Sequence, residues 1–229
     1  MLGRPAPLIL GVAMLVAAAA APAGAGEGET LHASGGATLA VAQPSTDLAA
    51  REWSFERVAA HTIERLGGEA LAIAADRSLS KDDRVLRFRT MLERELDIAT
   101  LARFAVARGW RRAGAADREA YVDAFTGYIL TRYGSVLDGA GDVERFAILG
   151  ARALDGGDAL VTTRLTLVDG WHLAVAWRMR HVEGEAKILD IVFEGMSAAQ
   201  TLRQEFAAVL RANDGRMAAL IAVLRERAG

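Results

Sequence analysis

The sequence predicts an α+β fold, in which helices cover one face of an antiparallel sheet of about four or five strands. Three observations support this class. Helical periodicity dominates the chain from 47 to 137, and alternation typical of strands follows from 143 to 193. Helical periodicity then returns up to the C-terminus, while all four prolines lie at or before position 44.

The N-terminal segment predicts export. Arg4 precedes an uncharged apolar run from Leu8 to Ala21, and small residues follow it. This length suits the hydrophobic region of a secretory signal better than a membrane span, which needs about 20 residues. We therefore expect a cleavable signal peptide over 1–25 and an exported protein, with an uncleaved anchor as the alternative. A Gly/Ala/Ser/Thr-rich flexible leader over 26–45 then precedes one domain over 46–229.

The composition excludes several classes of function. Twenty-seven Lys and Arg residues against 29 Asp and Glu give a formal net charge of −2, which does not favour a nucleic-acid-binding protein. The chain has no cysteine, so a conventional core has to stabilise it without disulfides. We expect no cofactor and no metal site, because thiols are absent and the four histidines lack metal-ligand spacing.

The first two predicted helices differ in how well their ends are defined. The first covers about Asp47–Arg65, with Gly67-Gly68 as the expected break or kink before a helical continuation. The second covers Lys81–Glu95, because Ser80 and Asp83 have the spacing of a capping box.

A shorter helix is predicted over Ile98–Arg108, followed by a sharp turn at Gly109. The longest helix then extends from about Ala116 to Leu137, with Gly114 as a possible N-cap. Its apolar stripe is rich in aromatic residues: Tyr121, Val122, Phe125, Tyr128, Ile129, Tyr133 and Val136. We expect this stripe to oppose the apolar face of the sheet.

Four strands are predicted where the apolar pattern changes to a period of two. They are Val143–Leu149, Ala159–Val168, Trp171–Arg180 and Ala186–Phe193. Short Gly- and Asp-containing connections favour an antiparallel meander. One face of this sheet is apolar and therefore needs a helical cover.

The C-terminal part predicts two more helices. Ser197 and Gln200 have the spacing of a second capping box, so a helix is expected from there to about Arg211. Asn213-Asp214-Gly215 ends it, and a last amphipathic helix covers Arg216–Arg227.

No residue pattern indicates an enzyme. Ser197 lies between a strand and a helix, but residue 199 is alanine where a nucleophile elbow has glycine, so helix capping explains the serine. Asp190 and Glu194 lie four residues apart and form a conceivable acid–base pair. Structural pairing of these carboxylates with Arg178 or Arg203 is the simpler interpretation.

The segments 101–113, 121–133, 190–197 and 203–206 together resemble MlaC-type proteins. These are periplasmic substrate-binding components of the toluene-tolerance, or Mla, lipid-transport ABC systems. The resemblance covers about residues 47–226, in order and spacing. It departs from the family pattern at Gly114–Asp117, where a Thr-Pro-Glu-Gln sequence is common. A related branch is associated with hopanoid metabolism, so the lipid is left open between phospholipid and hopanoid.

The resemblance implies a non-enzymatic periplasmic carrier whose sheet and helices enclose an apolar lipid pocket. This pocket holds lipid acyl chains, and the carrier ferries lipid between membrane complexes. The implied partners are an inner-membrane MlaD-type ABC transporter complex and an outer-membrane lipoprotein/porin complex. We expect the lipid contacts from the following residues: Phe104, Phe125, Tyr128, Ile129, Val161, Leu165, Leu173, Val175, Trp177, Leu189 and Ile191.

Two alternatives remain open from the sequence. One is a cystatin-like or NTF2-like domain that binds or acts on a small apolar molecule, with Asp190 as its first candidate for a catalytic group. The other is a structural interaction module of the envelope. In that case the same apolar residues form a filled core, and the pattern alone does not separate a core from a cavity.

Overall fold

A computed structural model describes residues 54–134 and 143–229 of the chain. Within these residues the helices are α1 (Phe55–Ala75), α2 (Lys81–Glu95), α3 (Ile98–Val106), α4 (Arg108–Arg112), α5 (Ala115–Gly134), α6 (Ala198–Ala212) and α7 (Met217–Ala228). The strands are β1 (Val143–Ala153), β2 (Ala159–Leu167), β3 (His172–Val182), β4 (Glu185–Phe193) and β5 (Met196–Ser197). The predicted α+β class is confirmed. The predicted signal peptide and leader lie outside the described residues.

Both predicted capping serines are confirmed. The Ser80 hydroxyl accepts a hydrogen bond from the Asp83 amide at 3.1 Å and begins α2. The Ser197 hydroxyl accepts one from the Gln200 amide at 3.0 Å and begins α6. Each bond satisfies an amide that the helix itself leaves without a partner, so these two helix starts are set by local sequence.

The expected break at Gly67-Gly68 is wrong, because α1 is continuous through both glycines. Gly67 is where the helix approaches the sheet. A Cβ placed there would lie 2.6 Å from Phe146 Cε1 on β1. Gly68 has no atom within 4 Å of its ideal Cβ position. Gly67 therefore serves close packing between helix and sheet and does not end the helix.

The turn expected at Gly109 occurs two residues earlier. Helix α3 ends at Val106, and Ala107 adopts φ 45° and ψ −106°, a conformation that side chains rarely take. Gly109 lies inside α4, where an added Cβ would contact Leu210 Cδ1 at 3.3 Å. The glycine thus allows α4 to pack tightly on the end of α6, while Ala107 makes the bend.

The sheet is an antiparallel meander with strand order β1-β2-β3-β4-β5. Its register pairs Val161 with Trp177, and Trp177 with Ile191. The short strand β5 pairs with the end of β4. At the other end of β4, Leu96 forms an isolated parallel bridge with Ile188. This bridge covers part of a strand edge that would otherwise present unpaired backbone groups.

The helices lie on one face of the sheet, as predicted. Helix α1 crosses β1 and β2, whereas α3 and α6 pack against β4. Helix α5 packs mainly against α7, α2 and α3. The expectation that the aromatic stripe of α5 opposes the sheet is therefore wrong, because α1, α3 and α6 already occupy that face.

The opposite face of the sheet is polar and carries a compact ion-pair cluster. Asp158 is buried and accepts hydrogen bonds from Arg178 Nε and Arg180 Nε, each at 2.8 Å. Burial alone would raise the pKa of the Asp158 carboxyl, but the two arginines outweigh burial and hold this pKa below its ordinary value. This cluster stabilises the β1–β2 hairpin end against β3.

Candidate functional site

The apolar face of the sheet combines closed and accessible positions. Val161 and Val175 are buried beneath the helices. Leu165, Trp177 and Ile191 lie on the same face by register but are only half-buried. Side chains on one face of neighbouring strands contact each other directly, so these three extend an apolar surface beyond the closed core.

The one polar side chain buried within this part of the face is fully used. Thr163 accepts a hydrogen bond from Trp177 Nε1 at 2.9 Å and donates one to the Val175 carbonyl at 3.1 Å. These bonds satisfy the indole N–H and the hydroxyl, and they fix the orientation of the Trp177 ring. The ring therefore presents its apolar surface, and the arrangement suits contact with alkyl groups better than bond-making chemistry.

The structure divides the predicted contact residues into two groups. The sheet group shares one region of β2, β3 and β4: Val161, Leu165, Leu173, Val175, Trp177, Leu189 and Ile191. The helical group lies on α3 and α5: Phe104, Phe125, Tyr128 and Ile129. The sheet group is brought together by register, whereas most of the helical group lies in a separate layer.

The α5 residues form an aromatic core with α6. Phe125 is fully buried and meets Phe206 edge-on, with ring centroids 6.0 Å apart. Tyr121 is also buried, and its hydroxyl donates to the Ala102 carbonyl at 3.0 Å. Burial raises the pKa of the Tyr121 phenol above its ordinary value. This layer is filled by protein side chains and holds α5 in place.

A polar contact beside this core was missed from the sequence. Arg132 donates to the Tyr128 hydroxyl and, at 3.2 Å, to Glu205 Oε2 on α6. Tyr128, predicted as an apolar contact, therefore has its hydroxyl engaged within the protein. The spacing of Tyr128 and Arg132, four residues apart on one helix, is the signal that could have revealed this contact.

Phe104 occupies a different environment from the α5 residues. It is half-buried on α3, and the Arg203 guanidinium of α6 lies 5.1 Å from its ring centroid. Cation–π contacts of this kind keep an arginine over an aromatic face. Phe104 thus lies where the helical layer reaches the surface.

The carboxylates that suggested acid–base chemistry have structural roles. Asp190 accepts hydrogen bonds from the Ser197 hydroxyl at 2.5 Å and from the Ala199 amide at 2.9 Å. It accepts a third from the Ile191 amide at 2.8 Å. The predicted pairing with Arg178 or Arg203 is wrong, because Asp190 instead holds the start of α6. Glu194 lies beyond the end of β4, exposed in the turn.

An open groove of about 500 Å³ lies between α1 and α2. Its lining is mixed: Glu69, Ala72, Ile73, Asp76, Leu86, Arg87, Thr90, Met91 and Arg94. Four of these residues are charged, so the groove suits alkyl chains less well than the face of the sheet does. Across 54–134 and 143–229, no cluster of three potential metal ligands occurs, and no helix is long and apolar enough to cross a membrane.

Comparison with known proteins agrees with this architecture. The family model described as MlaC protein matches residues 64–226. A solved structure of a phospholipid-binding protein from Ralstonia solanacearum, in complex with a phospholipid, is similar to this chain with a TM-score of 0.64. The two share 22% sequence identity, and the match covers 74% of this chain and 96% of the other. No curated protein matches the sequence. The structural similarity supports the fold.

Proposed function

The chain belongs to the MlaC protein family, and from that premise we propose that it is a periplasmic lipid carrier that holds acyl chains against the apolar face of its sheet. The observation that carries this proposal is the half-buried group Leu165, Trp177 and Ile191, which continues a closed core with accessible apolar surface. The structurally similar Ralstonia protein, described as phospholipid-binding, supports the choice of ligand class.

The energetics of lipid in water explain why such a carrier is needed. Two acyl chains of about 15 methylenes each gain roughly 20–25 kcal/mol on leaving water, at ~0.8 kcal/mol per methylene. A lipid therefore crosses an aqueous compartment too rarely without a carrier. Contact with the sheet face replaces the apolar environment of the bilayer, so that transfer exchanges two states of similar free energy.

The family and the predicted signal peptide together suggest how the protein reaches the periplasm and where it exchanges lipid. We propose that residues 1–25 are removed on export and that the carrier exchanges lipid with an MlaD-type inner-membrane ABC complex and an outer-membrane lipoprotein/porin complex. Phospholipid is the first candidate cargo and a hopanoid-like lipid the second. N-terminal sequencing of the periplasmic protein tests the first step, with Gly26 as the expected first residue.

A catalytic alternative has less support. Asp190 was its first candidate group, and three donors already occupy this carboxylate. A general base has to be within reach of a substrate proton, whereas these bonds direct Asp190 to the start of α6. We therefore propose a binding function without chemistry.

The test is to purify the exported protein gently from the periplasm and to measure bound lipid by solvent extraction and native mass spectrometry. Ile191→Gln is the informative variant, and Val192→Gln is its matched control. The two residues are neighbours, both are half-buried, and they point to opposite faces of β4.

Ile191→Gln should retain about tenfold less lipid, because an amide without hydrogen-bonding partners is disfavoured against alkyl chains. Val192→Gln should retain as much as the unmodified protein. Equal retention by both variants would show that the sheet face is not the binding surface. A protein that carries no lipid and takes none from vesicles would contradict the carrier function itself.

A further inference from the structure

Six arginines lie on four helices that meet at Trp110 and Phe104, namely α3, α4, α6 and the start of α5. This arginine face consists of Arg103, Arg108, Arg111, Arg112, Arg118 and Arg203. All of them are exposed except Arg118, which is half-buried. Four of these arginines lie in residues 101–113, which also carry part of the family resemblance. Lipid binding at the sheet face does not explain the positive charge of these arginines.

Trp110 is the anchor of the arginine face. The guanidinium groups of Arg103 and Arg118 lie 5.5 and 5.4 Å from its ring centroid. Arg118 Nε also donates to the Trp110 carbonyl at 2.9 Å. These contacts bring the end of α3 and the start of α5 to the same tryptophan of α4. The charges are therefore held at one place on the fold.

Three of the arginines have no role within the described fold. The side chains of Arg108, Arg111 and Arg112 have neither a hydrogen bond nor an ion pair among residues 54–134 and 143–229. The acidic residues nearest in sequence, Asp117 and Glu119, are exposed and form no ion pair with them in that part of the chain. Concentrated positive charge without neutralising partners raises the local potential and attracts anionic surfaces.

The arginine face also borders one of the residues predicted to contact lipid. Phe104, which was predicted to contact lipid, lies beneath Arg203 and next to Arg103 in the sequence. A carrier has to admit its cargo where apolar side chains reach the surface. The guanidinium group matches phosphate oxygens with two parallel hydrogen bonds, and tryptophan favours the headgroup level of a bilayer.

We propose that the arginine face docks the protein on bilayers rich in anionic phospholipid, so that lipid enters or leaves beside Phe104. This inference rests on the proposed function, since a lipid carrier that exchanges its cargo at membrane complexes works next to the bilayer surface. The charge distribution favours one orientation. The formal net charge of the full chain is −2. Removal of residues 1–25 takes away Arg4, so the exported chain carries −3 and would carry −9 without these six arginines. An anionic surface therefore favours the orientation in which the arginine face meets it.

The experiment compares binding of the exported protein, without residues 1–25, to two kinds of vesicle in a flotation assay. One kind is pure phosphatidylcholine, and in the other about one third of the lipid is phosphatidylglycerol. The test variant is Arg108→Gln/Arg111→Gln/Arg112→Gln, which removes charges whose side chains have no hydrogen bond or ion pair among the described residues. The control variant is Arg145→Gln/Arg152→Gln/Arg227→Gln, which removes three exposed arginines elsewhere.

The unmodified protein and the control should bind the anionic vesicles, and raising the salt from about 0.05 to about 0.5 M should release them. The test variant should bind on the order of 100-fold more weakly, since each basic residue near an anionic surface contributes about fivefold. Circular dichroism and thermal unfolding should show both variants folded.

Equal binding of the test variant and the unmodified protein would overturn the proposal. A protein that ignores anionic vesicles but binds soluble acidic proteins would also overturn it and would assign the face to a protein partner. Lipid extracted from the same preparations separates the two proposals. If a protein carries lipid but does not bind the vesicles, the docking proposal is wrong and the carrier function is not contradicted. If it binds the vesicles but carries no lipid, the carrier function is contradicted and the docking proposal is not.

Discussion

The aromatic core of α5 and the apolar face of the sheet look equally hydrophobic in sequence, yet they differ in how completely they are closed. Phe125 and Ile129 have no exposed surface. Leu165 and Trp177 retain accessible surface although they lie among buried neighbours. A closed core gives stability, whereas accessible apolar surface has to be covered by something else.

This difference assigns separate tasks to two regions that the sequence groups together. Phe125, Tyr121 and Phe206 fasten the helical layer through ring contacts. Trp177 is instead fixed by one hydrogen bond to Thr163 and keeps part of its ring available. Substitutions in the first region should therefore change folding, and substitutions in the second should change lipid retention more than folding.

The largest effect is expected for Phe125→Ala. Removal of a fully buried ring should lower the free energy of unfolding by about 3–5 kcal/mol, because the surrounding helices relax only in part. Leu165→Ala, at a half-buried position, should cost roughly half of a buried Leu→Ala change, about 1–2 kcal/mol. Urea unfolding of lipid-free protein measures both. Equal costs would show that the two regions are closed to the same degree.

The polar face of the sheet gives the next largest effect. Asp158→Asn should lower stability at neutral pH by about 1–3 kcal/mol, because both arginines lose a charged partner. The folded-state pKa of Asp158 lies below its ordinary value of 3.8. Its contribution is therefore complete above pH 3.8 and is lost as the pH falls from there toward the lower folded-state value.

Urea unfolding as a function of pH tests this ionisation. The variant should show a shallower loss of stability below about pH 4 than the unmodified protein. Asp155→Asn is the control, since Asp155 is exposed in the same connection. If Asp155→Asn flattens the profile as much as Asp158→Asn does, the buried ion pairs are not its origin.

The contact between α1 and the sheet predicts opposite outcomes at two neighbouring glycines. Gly67→Ala should destabilise by about 1–2 kcal/mol, because the new Cβ overlaps the Phe146 ring. Gly68→Ala should stabilise by about 0.5–1 kcal/mol, since its Cβ enters open space within a helix. Phe146→Leu should recover part of the loss at Gly67. Thermal unfolding compares the unmodified protein, Gly67→Ala, Gly68→Ala and the double variant Gly67→Ala/Phe146→Leu. If Gly67→Ala and Gly68→Ala changed the stability in the same direction, the close approach of Gly67 to Phe146 would be contradicted.

Much of the fold could be predicted because its signals are local. Ser80 and Ser197 mark helix starts through partners three residues away, and strand alternation identified β2 to β4. The role of Gly67 could not be predicted, because its neighbour Phe146 is distant in sequence. The prediction paired Asp190 with an arginine, whereas the structure pairs it with the start of α6. A strand pattern does not reveal which helix begins beside the strand.

The candidate site could be predicted only in part, for a similar reason. Alternation places Leu165, Trp177 and Ile191 on one face of the sheet, and the register confirms this. The same apolar character in Phe125 and Ile129 suggested that they line the site too. Whether an apolar side chain is closed or accessible depends on which helices cover it, and that information is spread over the whole chain.

The smallest effect, and the most specific, concerns the bond that orients Trp177. Trp177→Phe should cost about 1 kcal/mol in lipid-free protein, because the ring remains apolar but loses the hydrogen bond to Thr163. Thr163→Val should cost more than this, since it also removes the donor to the Val175 carbonyl. In the double variant the two costs should fall short of their sum by about 1 kcal/mol, the coupling that the shared bond supplies. Strict additivity in urea unfolding would mean that Trp177 is oriented by packing alone, and the sheet face would then differ from the aromatic core in exposure but not in how its rings are held.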